Sequence, residues 1–240
     1  VFAVSVSGVL LAEMSHAVGR GDIDAMLSHL RLGLRHIYFL SFPAAVFMIV
    51  FRTEIIQRLL LRGRFTESDL QETAFAMLFY SLGIPLFCSF KIIVNTFYSR
   101  KDMKTPVIVG VCVIVMNIIL NLILMQYLRQ GGIALATVVS SLANNMLLLL
   151  ILRRKLGIPL GMKPVHLSIF RIAVVSVAAV GGGYLLYTHI LSHTHFGGLL
   201  PLITGALGCG ALYLVLAFVC RCPELYELRQ TFSRRRPKSS

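Results

Sequence analysis

The chain has 240 residues, of which 57% are hydrophobic and only 14% charged, and its mean hydropathy is +0.80. Soluble domains are about 45–50% apolar and about 25% charged, so this composition excludes an ordinary soluble domain and a disordered chain. The formal net charge is +13 at pH 7. The basic residues form short clusters between long apolar runs, which is typical of a membrane protein rather than of a nucleic-acid-binding protein.

Seven apolar runs follow one another along the chain, and a helix needs about 20 such residues to cross a bilayer. The runs are a truncated one at 1–14, a short one at 37–51, and those at 74–97, 107–127, 133–152, 169–191 and 199–220. All are continuously apolar, whereas the strands of a membrane barrel alternate apolar and polar residues. We therefore expect an all-α polytopic membrane protein with six full transmembrane helices after one truncated N-terminal helix. Because the chain opens at Val1 inside an apolar run, we interpret it as the C-terminal part of a longer protein.

Three connections between the runs carry recognisable patterns. Residues 15–36 have amphipathic spacing, which predicts a helix lying on the cytoplasmic membrane surface. Residues 66–69 resemble a capping box at the start of the next helix. Residues 153–166 contain Pro159, Gly161 and Pro164, and we interpret them as a linker between two groups of helices.

Most of the 23 Lys and Arg residues fall at one set of helix ends, which includes the C-terminal residues 223–240. Basic residues are in excess on the cytoplasmic side of membrane proteins, so the C-terminus is predicted to be cytoplasmic. The cluster of arginines in residues 52–64 falls at the opposite ends and departs from the rule locally.

Lys91 is the one basic residue well inside a predicted span, where a charge costs about 2.5–3.5 kcal/mol on insertion scales. Helical spacing places it near Asn95 and Tyr98. Two interpretations stay open: Lys91 lines a water-filled cavity that receives an anionic group such as a phosphate, or its long side chain reaches the headgroup region. In the following spans Asn117, Asn121 and Asn144 either line a transport path or join helices by hydrogen bonds, and the second is favoured.

The sequence contains no catalytic constellation. It has no phosphate-binding glycine loop, no HExxH motif and no carboxylate pair within a span, which favours a transporter over an enzyme. His189, His193 and His195 cluster without a nearby cysteine or carboxylate, so neither a metal nor another cofactor is predicted.

The segment from residue 90 to residue 106 reads Phe-Lys-Ile-Ile-Val-Asn-Thr-Phe-Tyr-Ser-Arg-Lys-Asp-Met-Lys-Thr-Pro. It closely resembles the motif before the eleventh helix of the MurJ/MviN family of lipid II flippases, which belongs to the MOP exporter superfamily. Residues 62–69, 132–137 and 9–15 resemble further family segments, although Ala12 stands where members usually have proline. The motif residues are Tyr98, Arg100, Asp102, Lys104 and Pro106.

The resemblance implies the C-terminal lobe of a MOP-type flippase, beginning at the eighth of fourteen helices. Residues 1–157 would form helices eight to twelve, residues 158–222 the last two helices with a possible groove for a lipid tail, and residues 223–240 a basic cytoplasmic tail. The implied function is transport of lipid II, the lipid-linked peptidoglycan precursor, across the bacterial cytoplasmic membrane by alternating access. The implied partners are lipid II, membrane lipids and the N-terminal half of the same protein, which would supply the main cavity; nucleic acid is not expected. A MATE-like multidrug exporter and a polysaccharide-unit flippase remain alternatives within the same superfamily.

Overall fold

A computed structural model describes residues 2–60, 66–191, 200–220 and 222–225, and these residues form an all-helical bundle. The helices are α1 (Phe2–Gly19), α2 (Ile23–Val50), α3 (Arg52–Leu60), α4 (Glu67–Ser99), α5 (Lys104–Leu128), α6 (Gln130–Leu156), α7 (Lys163–Leu191) and α8 (Leu200–Val219). Six of them, α2 and α4 to α8, are long and apolar enough to cross a membrane. The predicted all-α fold, with six full spans after an N-terminal helix, is confirmed.

The bundle is built around α4, which packs against α1, α2 and α6. Large side chains that are fully buried fill the space between these helices, among them Met14, Ile92, Phe97 and Leu148. On its other side α2 contacts α7, and α7 packs against α8. Helix α5 packs mainly on α6 and leaves a broad apolar surface exposed, which suits a helix that faces lipid or a further part of the protein.

The prediction of a surface helix at residues 15–36 is wrong. Helix α1 continues to Gly19, and α2 runs without a break from Ile23 to Val50, so the amphipathic stretch is the first half of a long helix. Its apolar stripe is buried in the protein core rather than in a lipid interface: Met26 and Leu30 are fully buried. Spacing alone shows that a helix has an apolar face, but it does not show whether protein or lipid covers that face.

The structure confirms the predicted capping box and shortens the predicted linker. The backbone N–H of Thr66 donates to Asp69 Oδ2 over 2.9 Å, and Asp69 N–H donates to Thr66 Oγ1 over 3.3 Å, which completes the capping box of α4. The linker predicted at residues 153–166 is shorter in the structure, because α6 continues to Leu156 and α7 begins at Lys163. Gly157 ends α6 in the left-handed conformation, with φ of 67°.

Two arginines of the cluster that departs from the charge rule are bonded to the protein. Arg52 Nη1 donates to the carbonyl of Ile49 over 2.7 Å, and Arg58 Nη2 donates to the Tyr187 hydroxyl over 3.4 Å. These contacts join the α3 region to the ends of α2 and α7. A structural role of this kind accounts for two of the basic residues at these helix ends.

Candidate functional site

Lys91 lies on the side of α4 that α1, α2 and α6 leave uncovered, and its side chain is exposed. Phe87, Phe90 and Tyr98 share this open face, each with more than a third of its surface exposed. Among the described residues Lys91 forms no ion pair. Its ammonium group therefore stays available to an anion, and the open face places one exposed cation among these aromatic side chains.

Asn95, one turn after Lys91, does not share this exposure. It is 4% exposed, and its Nδ2 donates to the backbone carbonyl of Ser7 in α1 over 2.7 Å. The side chain thus joins α4 to α1 inside the bundle. This contact corresponds to the packing interpretation of a polar residue in a span, in which an amide pairs with a neighbouring helix.

The asparagines of α5 and α6 form a polar seam between these two helices. Asn117 Nδ2 donates to Ser140 Oγ over 3.2 Å, and Asn121 Nδ2 donates to Asn117 Oδ1 over 3.0 Å. Asn144 is half-buried on the facing helix. The Oδ1 atoms of Asn121 and Asn144 are buried and accept no hydrogen bond from a described residue. The seam therefore contains two acceptors that lack a donor among the described residues.

Asn145 carries a role that sequence reasoning missed. It is 5% exposed, and its Nδ2 donates to the Leu86 carbonyl over 2.9 Å and to Ser89 Oγ over 3.0 Å, which ties α6 to α4. In the sequence it stands next to Asn144, and only the rotation of α6 about its axis distinguishes the two. The described residues contain no group able to hold a metal ion; His193 and His195 lie outside them.

The motif between α4 and α5 forms a compact double cap. Lys101 adopts the left-handed conformation with φ of 59°, and the N–H groups of Lys101 and Asp102 donate to the carbonyls of Tyr98 and Phe97, which is a Schellman ending of α4. The Asp102 carboxylate then accepts bonds from the N–H and hydroxyl of Thr105 at the start of α5. Pro106 lies in the first turn of α5, where a missing N–H costs little.

The same carboxylate connects the turn to α6. Lys155 Nζ donates to Asp102 Oδ2 over 2.7 Å and to Thr105 Oγ1 over 2.6 Å. Burial raises the pKa of the Asp102 carboxyl, but the hydrogen bonds from Lys155 and Thr105 outweigh it, so the pKa lies below its usual range. This contribution to stability is present at neutral pH and is lost as the pH falls through that lowered pKa. Arg100 is half-buried in the same turn, and Tyr98 and Lys104 are exposed.

The double cap leads us to expect opposite effects of two substitutions on the thermal stability of the full-length protein in detergent. Asp102→Ala removes the cap and the partly exposed ion pair, and we expect it to lower stability by about 1–2 kcal/mol. Lys101→Gly relieves a left-handed conformation and should raise stability by about 1 kcal/mol. An unchanged melting temperature in Asp102→Ala would contradict the capping role.

Comparison with known proteins links this geometry to one family. The family model described as lipid II flippase MurJ matches residues 1–205. The chain belongs to the lipid II flippase MurJ family. A probable lipid II flippase MurJ of Vibrio cholerae is 33% identical over 147 residues, which are 61% of this chain and 28% of that protein. A probable lipid II flippase MurJ of Rhizobium tropici is 28% identical over 99% of this chain and 45% of that protein.

A solved structure of the MurJ family has the same fold. It is described as lipid II flippase MurJ in an inward closed conformation, is 26% identical, and superposes with a TM-score of 0.70 over 91% of this chain and 43% of that chain. The chain therefore spans less than half the length of these MurJ relatives. The resemblance found in the motif between α4 and α5 is confirmed at the level of the family, and a family of transporters agrees with the preference for a transporter over an enzyme.

Proposed function

We propose that this chain is the C-terminal lobe of a transporter that moves lipid II from the inner to the outer leaflet of the bacterial cytoplasmic membrane by alternating access. The observation that supports the proposal most directly is the match to the MurJ family across residues 1–205. The open face of α4 adds a chemical reason, because it places one exposed cation among aromatic side chains. A pyrophosphate cannot cross hydrocarbon unaided, and a fixed ammonium group offsets part of its desolvation cost.

In this proposal the parts of the chain have different tasks. Residues 1–157 carry the face that turns toward the N-terminal half and the central cavity. Lys91 supplies positive potential there. The polar seam between α5 and α6 contains Asn117, Asn121 and Asn144, and the Oδ1 atoms of the last two lack a donor among the described residues. Asn95 holds α1 against α4. Residues 223–240 form a cytoplasmic tail, as the excess of basic residues at that side predicts.

Residues 158–222 are proposed to hold the polyprenyl tail of the substrate beside α7 and α8. A side chain added at Gly183 would collide with Cys209, so the two helices approach closely there. Gly181, Gly208 and Gly210 instead face open space, where membrane lipid or a substrate tail has room to lie. Helices α7 and α8 therefore pack closely at Gly183 and carry small residues on their outer surface.

The proposed function is tested in a bacterium whose own lipid II flippase is depleted. Expression of the full-length protein is expected to restore growth, and withdrawal of that protein should cause lipid II to accumulate and peptidoglycan synthesis to stop. Surface polysaccharide and drug sensitivity are measured in the same cells as controls. Loss of surface polysaccharide or drug export without accumulation of lipid II would reject the proposal in favour of another member of the superfamily.

A further inference from the structure

The chain turns back toward the bundle directly after α8. The N–H of Cys222 donates to the Ala217 carbonyl over 2.9 Å, and the Cys222 side chain is 1% exposed. It lies in an apolar cluster with Phe39 of α2 and Ile172 of α7. Residues 222–225 are therefore packed against two other helices, although they follow the last membrane span.

An ion pair buried in the protein follows this turn. Arg35 Nε, on α2, donates to Glu224 Oε1 over 3.0 Å and to Ser168 Oγ of α7 over 3.1 Å. The Glu224 side chain is 0% exposed and that of Arg35 is 16% exposed. Burial raises the pKa of the Glu224 carboxyl, but hydrogen bonds with Ser168 and Arg35 outweigh it, so the pKa lies below its ordinary value and the group is ionised at neutral pH.

The ion pair between Arg35 and Glu224 lies where helices α7 and α8 are attached to the rest of the bundle. Two apolar clusters pack α7 and α8 against α2. One contains Phe39 of α2, and the other contains Phe51, which directly follows α2. The Tyr213 hydroxyl of α8 also donates to the Phe39 carbonyl over 2.7 Å. Helix α2 thus connects helices α7 and α8 to the rest of the lobe. Arg35 of α2 contacts both α7 and the segment after α8.

We propose that residues 222–225 form a C-terminal latch, in which Arg35 binds both the Glu224 carboxylate and the Ser168 hydroxyl and so fastens the end of α8 to α2 and α7. Removing one partner of a buried ion pair leaves an uncompensated charge, so the latch opens when either Arg35 or Glu224 is neutralised. Arg35, Ser168 and Glu224 are then positioning residues that set how the α7–α8 pair sits on the lobe. The inference concerns the attachment of these helices and holds whether or not the proposed cargo is lipid II.

Cys222 is a natural reporter of the latch. In a full-length protein with every other cysteine replaced by Ala, we measure the rate at which a maleimide labels this buried thiol in detergent. Slow labelling is expected in the parent, and Glu224→Gln or Arg35→Gln should accelerate it by about tenfold or more, because local opening exposes the thiol. The reversed pair, Arg35→Glu with Glu224→Arg, should recover at least part of the slow rate.

Two further variants complete the test. Glu72→Gln removes the exposed ion pair with Arg129 and serves as the control, for which the labelling rate of Cys222 should not change. Ser168→Ala removes one hydrogen bond of the latch and leaves both charges in place, so this variant is expected to fold more readily than Glu224→Gln or Arg35→Gln. Its labelling rate at Cys222 should increase by a smaller factor. Fast labelling in the parent would show that the segment is not held against the bundle, and an unchanged rate in both Ser168→Ala and Glu224→Gln would show that apolar packing alone holds it. Either result would overturn the latch. Accumulation of lipid II on depletion is a separate readout, so failure of the latch leaves the proposed transport function unaffected.

Discussion

Replacement of Lys91 with Ala in the full-length protein is expected to reduce the proposed transport of lipid II by about 10- to 100-fold. The estimate follows from the loss of a hydrogen bond to a charged group, which contributes about 1.5–3 kcal/mol. The structure supports this role because the side chain lies on the open face of α4 and forms no ion pair with a described residue. Complementation of a flippase-depleted strain, together with the amount of accumulated lipid II, measures the effect.

The second interpretation of Lys91 makes the opposite prediction. If the side chain only reaches toward the headgroups, its removal from an apolar helix should be neutral or should favour insertion. Lys91→Arg keeps the charge and should retain most of the activity, whereas Lys163→Gln removes an exposed lysine at the start of α7 and should have no effect. Normal growth of the Lys91→Ala strain at matched protein levels would reject a role for this residue in transport.

Gly132→Ala is expected to destabilise the protein by about 3 kcal/mol or more, because an added methyl group would overlap backbone rather than a mobile side chain. Helices α5 and α6 are joined by a very tight turn at Arg129, which has a φ of 48°. A Cβ atom on Gly132 would collide with the carbonyl of Leu124 and lie 2.8 Å from the nitrogen of Met125. Neither backbone atom is able to move without unwinding the end of α5.

Gly110 is the matched control for this substitution. It lies on α5, in the same helical hairpin, and nothing lies within 4 Å of the position that its Cβ would take. Gly110→Ala should therefore be neutral or stabilise the helix by up to about 1 kcal/mol. The two variants are compared by expression level and melting temperature in detergent. Equal stability of the two would contradict the close approach of α5 and α6 at Gly132.

The helices could be predicted from the sequence because the signal that defines them is local. A continuous apolar run of about 20 residues specifies a membrane helix by itself, since lipid cannot satisfy an unpaired backbone. The capping box at Thr66 was predictable for the same reason, because it depends on neighbours within a few residues, whereas the linker after α6 is shorter than predicted. The motif from residue 90 to residue 106 was sufficient to indicate the family.

The partners of the polar side chains were not predictable. Asn144 and Asn145 are adjacent in sequence, yet only Asn145 bridges α6 to α4, because the rotation of each helix decides which residue faces a neighbour. The amphipathic stretch at residues 15–36 gave a wrong prediction, because its apolar stripe fits a lipid surface as well as it fits a protein core. Nothing in the spacing of Arg35 and Glu224 links two residues so far apart along the chain.

The sequence by itself thus determined a multi-pass helical membrane protein, the order of its spans and its family, since each follows from local hydropathy, charge or motif. The tertiary structure decided which polar groups are used for packing and which stay open, namely that Asn95 joins helices and Lys91 remains exposed. The physical reason is that hydrophobic burial places helices in the membrane without specifying direction, whereas hydrogen bonds and ion pairs are directional and form only after the helices have packed.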